Sequence, residues 1–545
     1  MSLTQKSVWA ILHWLAIAAV LVSLGSGLRI AVLEYPWLLR LNALLPQGEM
    51  HGLHLIAGWS LTLLLVTYTG LLLLGRQAGL MPHKKPGGFS RFHFNVGWAL
   101  RLVVLLLLGS GWLLYIEAPW LAAGAAKLLH FICALCAVLV VFLHGSGFLL
   151  QSGRRLLRLL FQPLQQARIT LLAGALLLCV AGAGAMALLA RETNHRLQVA
   201  TIKDDIFIEI DGRADEAVWS QAKPLTLTTH GGANFDEGAT PVTLRALQNG
   251  SDMFMHFRWQ DATESLEHLP LVKTDNGWQV RQDGFQDFDE KSWYEDKFAV
   301  IVSNSCEWDA AGTAHLGPKP LDDKPKHWTG QGYHYREQGL VDLWQWKAVR
   351  TNAMKLMDDN YISTPAEARA GDRRYTAGYQ QDANESGAYK MNWRWYSAAG
   401  IVPKRLPLAA EQLSLYQASA QEGAGIAQEG AAVAPATTPV AADIPWVMPW
   451  FDTEPYQQGK DNYPVGTVMP SILYSSNQFE GDRAHVRAYA RWQDGYWSLE
   501  VFRRLDTGSD KDVALRDGVC LWVAAFDRAQ IRHTRHVRPI ALEFQ

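Results

Sequence analysis

Four histidines stand inside or at the edges of long apolar runs: His13, His54, His130 and His144. Two of them bracket LLHFICALCAVLVVFLHGSG, residues 128–147, a stretch long enough to cross a bilayer. An imidazole moved into hydrocarbon loses its water hydrogen bonds, so an ionisable residue there is read first as a functional group with a partner. Neutral imidazole is a common ligand of redox iron. On an α-helix the fourteen residues from His130 to His144 rise about 21 Å and complete close to four turns, so both rings lie on one face. A second group, His315, His334, His533 and His536, stands among glycines and basic residues in GTAHLGP (312–318), GQGYHYREQG (330–339) and RHTRHVRP (532–539).

The elements that must position these groups divide the chain near residue 191. Before it, five apolar spans occur, roughly 8–30, 52–75, 95–116, 126–150 and 168–190, and after it none. Residues 1–191 hold 14 Lys+Arg against 3 Asp+Glu; of the chain's 50 and 52, this leaves 36 against 49 for the remainder. A basic membrane half is thus joined to an acidic soluble half. The positive residues of the first half fall in alternate connections, Arg76, Lys84, Lys85 and Arg91 after the second span and Arg154, Arg155, Arg158 and Arg168 after the fourth. By the positive-inside rule these loops and the N-terminus are cytoplasmic, which places residues from about 192 onward in the periplasm of a bacterial inner membrane. The first span is read as retained, being longer than a signal-peptide core and lacking a small-x-small exit.

This topology sorts the four histidines into two levels, His13 with His144 towards the cytoplasm and His54 with His130 towards the periplasm. Facing helices can then hold two stacked haems, each iron taking two imidazoles. The alternative is that each ring bonds a neighbouring helix. His51 competes with His54, and Gly58, one turn after His54, would leave room for a porphyrin. His93 reads as interfacial or quinone-facing. Cys133 and Cys136 are spaced CxxC, but Ala137 follows where covalent c-type haem needs His.

HWLAIAAVLVSLGSG (13–27), HLIAG (54–58) and the 128–147 stretch together resemble the bacterial cytochrome b561 group and its hydrogenase-type and formate-dehydrogenase-type relatives, over roughly residues 7–150. The resemblance implies a four-helix, di-haem b core (residues 1–167) exchanging electrons with membrane quinone, with His13, His54, His130 and His144 as ligands. The span 168–191 exceeds that core and reads as a tether.

The outer part, 192–545, shows alternating or β-branched and aromatic segments, among them DIFIEIDG (205–212), VTLRALQNGSDMFMHFRWQDA (242–262), KFAVIVSN (297–304), VDLWQWKAV (341–349), AHVRAYARWQDGYWSLEVFRRL (484–505) and VCLWVAAFD (519–527). Broken by Asp-Gly and Asn-Gly turns, they predict an all-β sandwich whose tryptophans are mostly core. A low-complexity insertion of Ala, Gly, Gln and Pro covers about 405–445. Cys306 and Cys520 lie in the oxidising compartment and are a potential pair.

IDGRADEAVWSQAKPL (210–225), FRWQDAT (257–263), YEDKFAVIV (294–302), VDLWQWKA (341–348) and RPIALEF (538–544) resemble the haem-binding γ-subunit type domain of ethylbenzene dehydrogenase and dimethylsulfide dehydrogenase. That domain shares the sandwich of carbohydrate-binding module family 9, and its resemblance implies one haem b between a Met before the WxW strand and a Lys before the last strand. Here His334 stands at the first position, and His533 and His536 stand near the second, with His536 at the more suitable distance; His315 is a rival to His334.

The sequence therefore points to a five-span membrane bundle plus a periplasmic sandwich, carrying electrons between the quinone pool and a periplasmic redox protein or oxidoreductase. Two other readings are a superoxide oxidase that reduces quinone and a membrane-anchored ligand-binding module. No nucleotide loop, flavin motif or molybdenum signature is visible, no catalytic side chain is assigned, and nucleic acid is not among the expected partners.

Overall fold

The computed structural model describes residues 3–48, 50–73, 88–117, 123–153, 161–162, 169–192, 194–287, 289–315, 333–367, 375–381, 388–397, 400–408, 446–475 and 479–545. Most of the low-complexity insertion, the basic loops bearing Arg76, Lys84, Lys85, Arg154, Arg155 and Arg158, and the side chain of His93 lie outside the described residues. The chain divides into two compact units, Met1–Thr193 and Asn194–Gln545.

The first unit is helical: α1 Leu3–Glu34, α2 Met50–Leu73, α3 Gly88–Tyr115, α4 Ala123–Ser152 and α5 Ile169–Glu192. A helix satisfies its own backbone hydrogen bonds, which is why apolar runs of this length cross hydrocarbon in that form. Among the described residues four stretches are long and apolar enough to do so, Ser7–Val32, Met50–Leu71, Asn95–Tyr115 and Gly124–Leu150. Five spans are expected from the sequence; the fifth is the helix α5, which falls outside that count and many of whose side chains lie outside the described residues. α1 packs along α2, and α3 along α4. Aromatic contacts join one helix pair to the other, with Tyr35, just after α1, stacked on Phe131 of α4 at 4.4 Å and Trp59 of α2 edge-on to Trp112 of α3 at 4.2 Å between ring centres.

The second unit is built on a sheet of twelve strands. They are β1 His195–Thr201, β2 Leu225–His230, β3 Ala239–Gln248, β4 Asp252–Gln260, β5 Lys297–Ser303, β6 Val341–Lys347, β7 Asp358–Ile362, β8 Tyr379–Gln381, β9 Arg487–Gln493, β10 Tyr496–Arg504, β11 Cys520–Phe526 and β12 Ile540–Phe544. Their order is β8-β7-β6-β5-β11-β12-β1-β3-β4-β10-β9, with β2 on β3. β1 is the joint: its first residues pair in parallel with β12 and its last with β3, so the ladder passes from one layer to the other. The layers face each other across an aromatic core, where Trp259 of β4 stacks on Phe298 of β5 at 4.6 Å and Trp497 of β10 meets Trp346 of β6 at 4.8 Å. Trp219, Trp259, Trp278, Trp344, Trp346 and Trp497 are fully buried, so these tryptophans are core, each burial contributing on the order of 2 kcal/mol or more.

The Asp494–Gly495 turn joins β9 to β10 with positive φ at both residues, 52° and 79°, the backbone that a two-residue hairpin between twisted strands requires. One expected strand is absent: residues 205–212 join no ladder but lay Ile208 and Ile210 over Trp219 in a satellite cluster. Their alternating pattern reflects one buried face without strand partners. Cys306, just after β5, is disulfide-bonded to Cys520 of β11.

Candidate functional site

Within the helical unit the four histidines meet in two pairs. The rings of His54 on α2 and His130 on α4 lie 6.0 Å apart, and those of His13 on α1 and His144 on α4 lie 6.5 Å apart. All four are half-buried. Two imidazoles on opposite sides of one iron, each through a bond of about 2 Å, place their ring centres about 6 Å apart, so both separations fit a bis-histidine metal.

Their backing residues orient the rings. Nδ1 of His54 lies 3.1 Å from the Ser23 carbonyl oxygen and 3.1 Å from Ser26 Oγ. A carbonyl only accepts, so Nδ1 carries the proton and Nε2 keeps its lone pair. Nδ1 of His130 lies 3.0 Å from Ser110 Oγ, whose own proton goes to the Leu107 carbonyl at 3.0 Å, so the hydroxyl accepts and the same tautomer results. This outer-shell bond is the device that fixes ring orientation in metal-binding histidines. Glycines give the rings their place: a Cβ on Gly27 would come within 2.8 Å of His54 Cε1, and one on Gly111 within 3.2 Å of His130 Cε1. Gly58, expected to leave that room, has nothing within 4 Å of its would-be Cβ. His54, not His51, makes the ring contact with His130.

The sequence reading missed these backing residues, although their signal was visible. Gly-Ser-Gly recurs at 25–27, 109–111 and 145–147. The first copy, on α1, backs His54 of α2, and the second, on α3, backs His130 of α4, so the pairs α1–α2 and α3–α4 repeat one arrangement. In the third copy the Ser146 hydroxyl bonds its own helix at Phe142.

In the outer unit, Ala314–His315 pairs with Tyr333–His334 in a two-stranded ladder, Ala314 opposite His334 and His315 opposite Tyr333. Side chains alternate across such a ribbon, which turns His315 and His334 to opposite faces. His315 is buried and stacks on Tyr335 at 3.6 Å, while His334 is exposed. His536 accepts a hydrogen bond at Nε2 from the Val523 backbone N–H, 2.9 Å, and donates from Nδ1 to the Arg538 carbonyl, 2.7 Å. Both nitrogens of His536, the residue expected from its distance to the last strand, are thus engaged by the backbone in this fold. His533 uses only Nδ1, on the Thr534 carbonyl at 2.8 Å, and packs its ring on Phe526 at 4.8 Å. Burial pushes its pKa down to about 4, with smaller contributions from Arg535, His334 and Lys297, so at neutral pH it is an uncharged imidazole within electrostatic reach of His334.

The profile of the family described as prokaryotic cytochrome b561 matches residues 5–162, and that of the family described as ethylbenzene dehydrogenase matches residues 216–538. No curated protein matches the chain. Among solved structures, a putative carbohydrate-binding protein from Bacteroides uniformis aligns at 9% identity over 65% of this chain and 100% of its own, TM-score 0.25. A carbohydrate-binding module of family 9 from Caldicellulosiruptor kristjanssonii, in complex with glucose, aligns at 5% identity over 64% and 95%, TM-score 0.23. The membrane region is of the b-type cytochrome kind, an electron-transfer unit for which b-type haem is the implied group, and the two ring separations, with the Nδ1 protons of His54 and His130 held by their backing residues, suit it. The ethylbenzene dehydrogenase profile spans more than half of the residues, and the chain belongs to that family, fused behind a cytochrome b561 membrane region.

Proposed function

We propose that this protein is a membrane-anchored b-type cytochrome that carries electrons between the quinone pool and a redox partner on the periplasmic side of a bacterial inner membrane. The observation that carries the reading is the meeting of His13 with His144 and of His54 with His130 at two levels of one apolar bundle. Each pair would hold one haem b, and His334 with His533 would hold a third in the outer unit. Bound haem supplies reversible one-electron chemistry. The chain's own contribution is to present neutral, correctly turned imidazoles: Ser23, Ser26 and Ser110 keep the proton on Nδ1, and Gly27 and Gly111 give the rings their seats. Outer bis-histidine ligation in place of Met and Lys would favour the ferric state, since a thioether stabilises ferrous iron more than imidazole does. Alternating basic loops support a cytoplasmic N-terminus, and the Cys306–Cys520 disulfide supports an oxidising compartment for the second unit.

The test is the haem content and reduced-minus-oxidised spectrum of the purified full-length protein, with and without added quinol. About three non-covalent haems b per chain, reducible by quinol, are expected. His54→Ala or His130→Ala should remove one membrane haem while the chain still inserts. A wild-type protein with only two haems would end the relay role of the outer unit and favour ligand binding there.

A further inference from the structure

Three strand ends of the sandwich converge on one another. Asp261 follows β4, Asp296 precedes β5 and Asp527 follows β11. Their side chains are 1%, 0% and 3% exposed, and one carboxylate oxygen from each lies within 4.8 Å of those from the other two. That limit is twice a calcium–oxygen bond of about 2.4 Å.

The surrounding donors leave the group incomplete. Asp296 accepts from the Arg528 and Ser265 backbone N–H groups at 3.0 and 2.8 Å and from Trp497 Nε1 at 3.1 Å. Asp527 is 3.2 Å from Arg528 Nε, whose side chain is 37% exposed, and the Thr263 hydroxyl also bonds it. Asp261 accepts at Oδ1 from the Thr263 N–H at 3.2 Å, but its Oδ2, fully buried, has no hydrogen-bond partner. A buried carboxylate oxygen without a donor costs several kcal/mol unless something positive reaches it. One guanidinium at the edge does not balance three carboxylates.

We propose that Asp261, Asp296 and Asp527 form a binding site for one hard divalent cation of calcium's size, which would supply the positive partner that Oδ2 of Asp261 lacks. Three carboxylate oxygens on separate loops, with the Thr263 hydroxyl beside them, match the all-oxygen, irregular coordination that calcium accepts and magnesium resists. Burial raises the pKa of all three acids, that of Asp261 to about 10, with neighbouring carboxylates adding to the rise at Asp261 and Asp296. The ion would tie the ends of β4, β5 and β11 together.

The two states differ in the sign of a mutation. Full-length protein in detergent, stripped with EGTA, is titrated with calcium by calorimetry and melted with and without the ion. Binding of one calcium per chain, a rise in Tm of roughly 3–8 °C, weaker binding of magnesium and at least ten-fold weaker calcium binding in Asp261→Asn are expected. No heat of binding, a Tm indifferent to calcium, and an Asp261→Asn variant that melts at or above the wild type would overturn the proposal and leave a proton-sharing cluster. Should that variant not fold, the wild-type titration decides alone.

Discussion

At the scale of single residues, the sites rest on atoms that sequence distance does not rank. Gly27 has an ordinary helical backbone, yet a Cβ there would meet the His54 ring at 2.8 Å, whereas one on Gly25, two residues away, would meet nothing within 4 Å. Gly27→Val should therefore lower the haem content of the purified protein by one per chain, and Gly25→Ala should leave it unchanged. The outer histidines give a similar contrast. His536→Ala strands the Val523 N–H and the Arg538 carbonyl, which should cost about 1–3 kcal/mol of stability and leave the outer haem in place. His533→Ala should instead abolish the low-spin bis-histidine spectrum of that haem with a smaller loss in Tm. If the spectra respond the other way round, the assignment of the second outer imidazole reverts to His536.

At the scale of elements, a repeated device supports the membrane site. α1 backs α2 and α3 backs α4 through the same Gly-Ser-Gly triplet, so two helix pairs each deliver one imidazole with its proton fixed on Nδ1. Both of these rings belong to the pair His54–His130, while His13 and His144 meet across α1 and α4. In the sandwich the elements are held by ladders and by one covalent clamp. Cys306 and Cys520 close a loop of 214 residues between the neighbouring strands β5 and β11. Closure of so long a loop restricts the unfolded chain, and such bonds typically contribute about 2–4 kcal/mol. Reduction of the full-length protein should lower the Tm of the outer transition by several degrees, and Cys306→Ser should reproduce the shift without reductant.

At the scale of the whole molecule, the proposed route needs the two units to serve different sides of the membrane. The alternating basic loops and the disulfide support an outer location for residues from Asn194 onward. Protease added to intact spheroplasts should digest the C-terminal unit and spare the helical one, and inverted vesicles should protect it. Protection in spheroplasts would place the C-terminal unit on the cytoplasmic side and remove the periplasmic partner from the proposal.

The amino-acid order alone determined the membrane character of the first part and the β character of the second, and it singled out the four histidines whose rings meet in two pairs. Each of these rests on local pattern, and apolar length, charge asymmetry and period-two alternation are properties of neighbouring residues. The meeting of His54 with His130 and of His13 with His144 was also legible, because a helix converts sequence distance directly into depth and face. Where contacts join distant residues, the sequence reading failed or stayed silent. Residues 205–212 alternate like a strand but find no ladder, Gly58 is idle while Gly27 seats the ring, and His536 is claimed by the backbones of Val523 and Arg538. The convergence of Asp261, Asp296 and Asp527 was invisible for the same reason: strand ends far apart in the chain become neighbours only when β1 carries the ladder from one layer to the other and the sandwich closes.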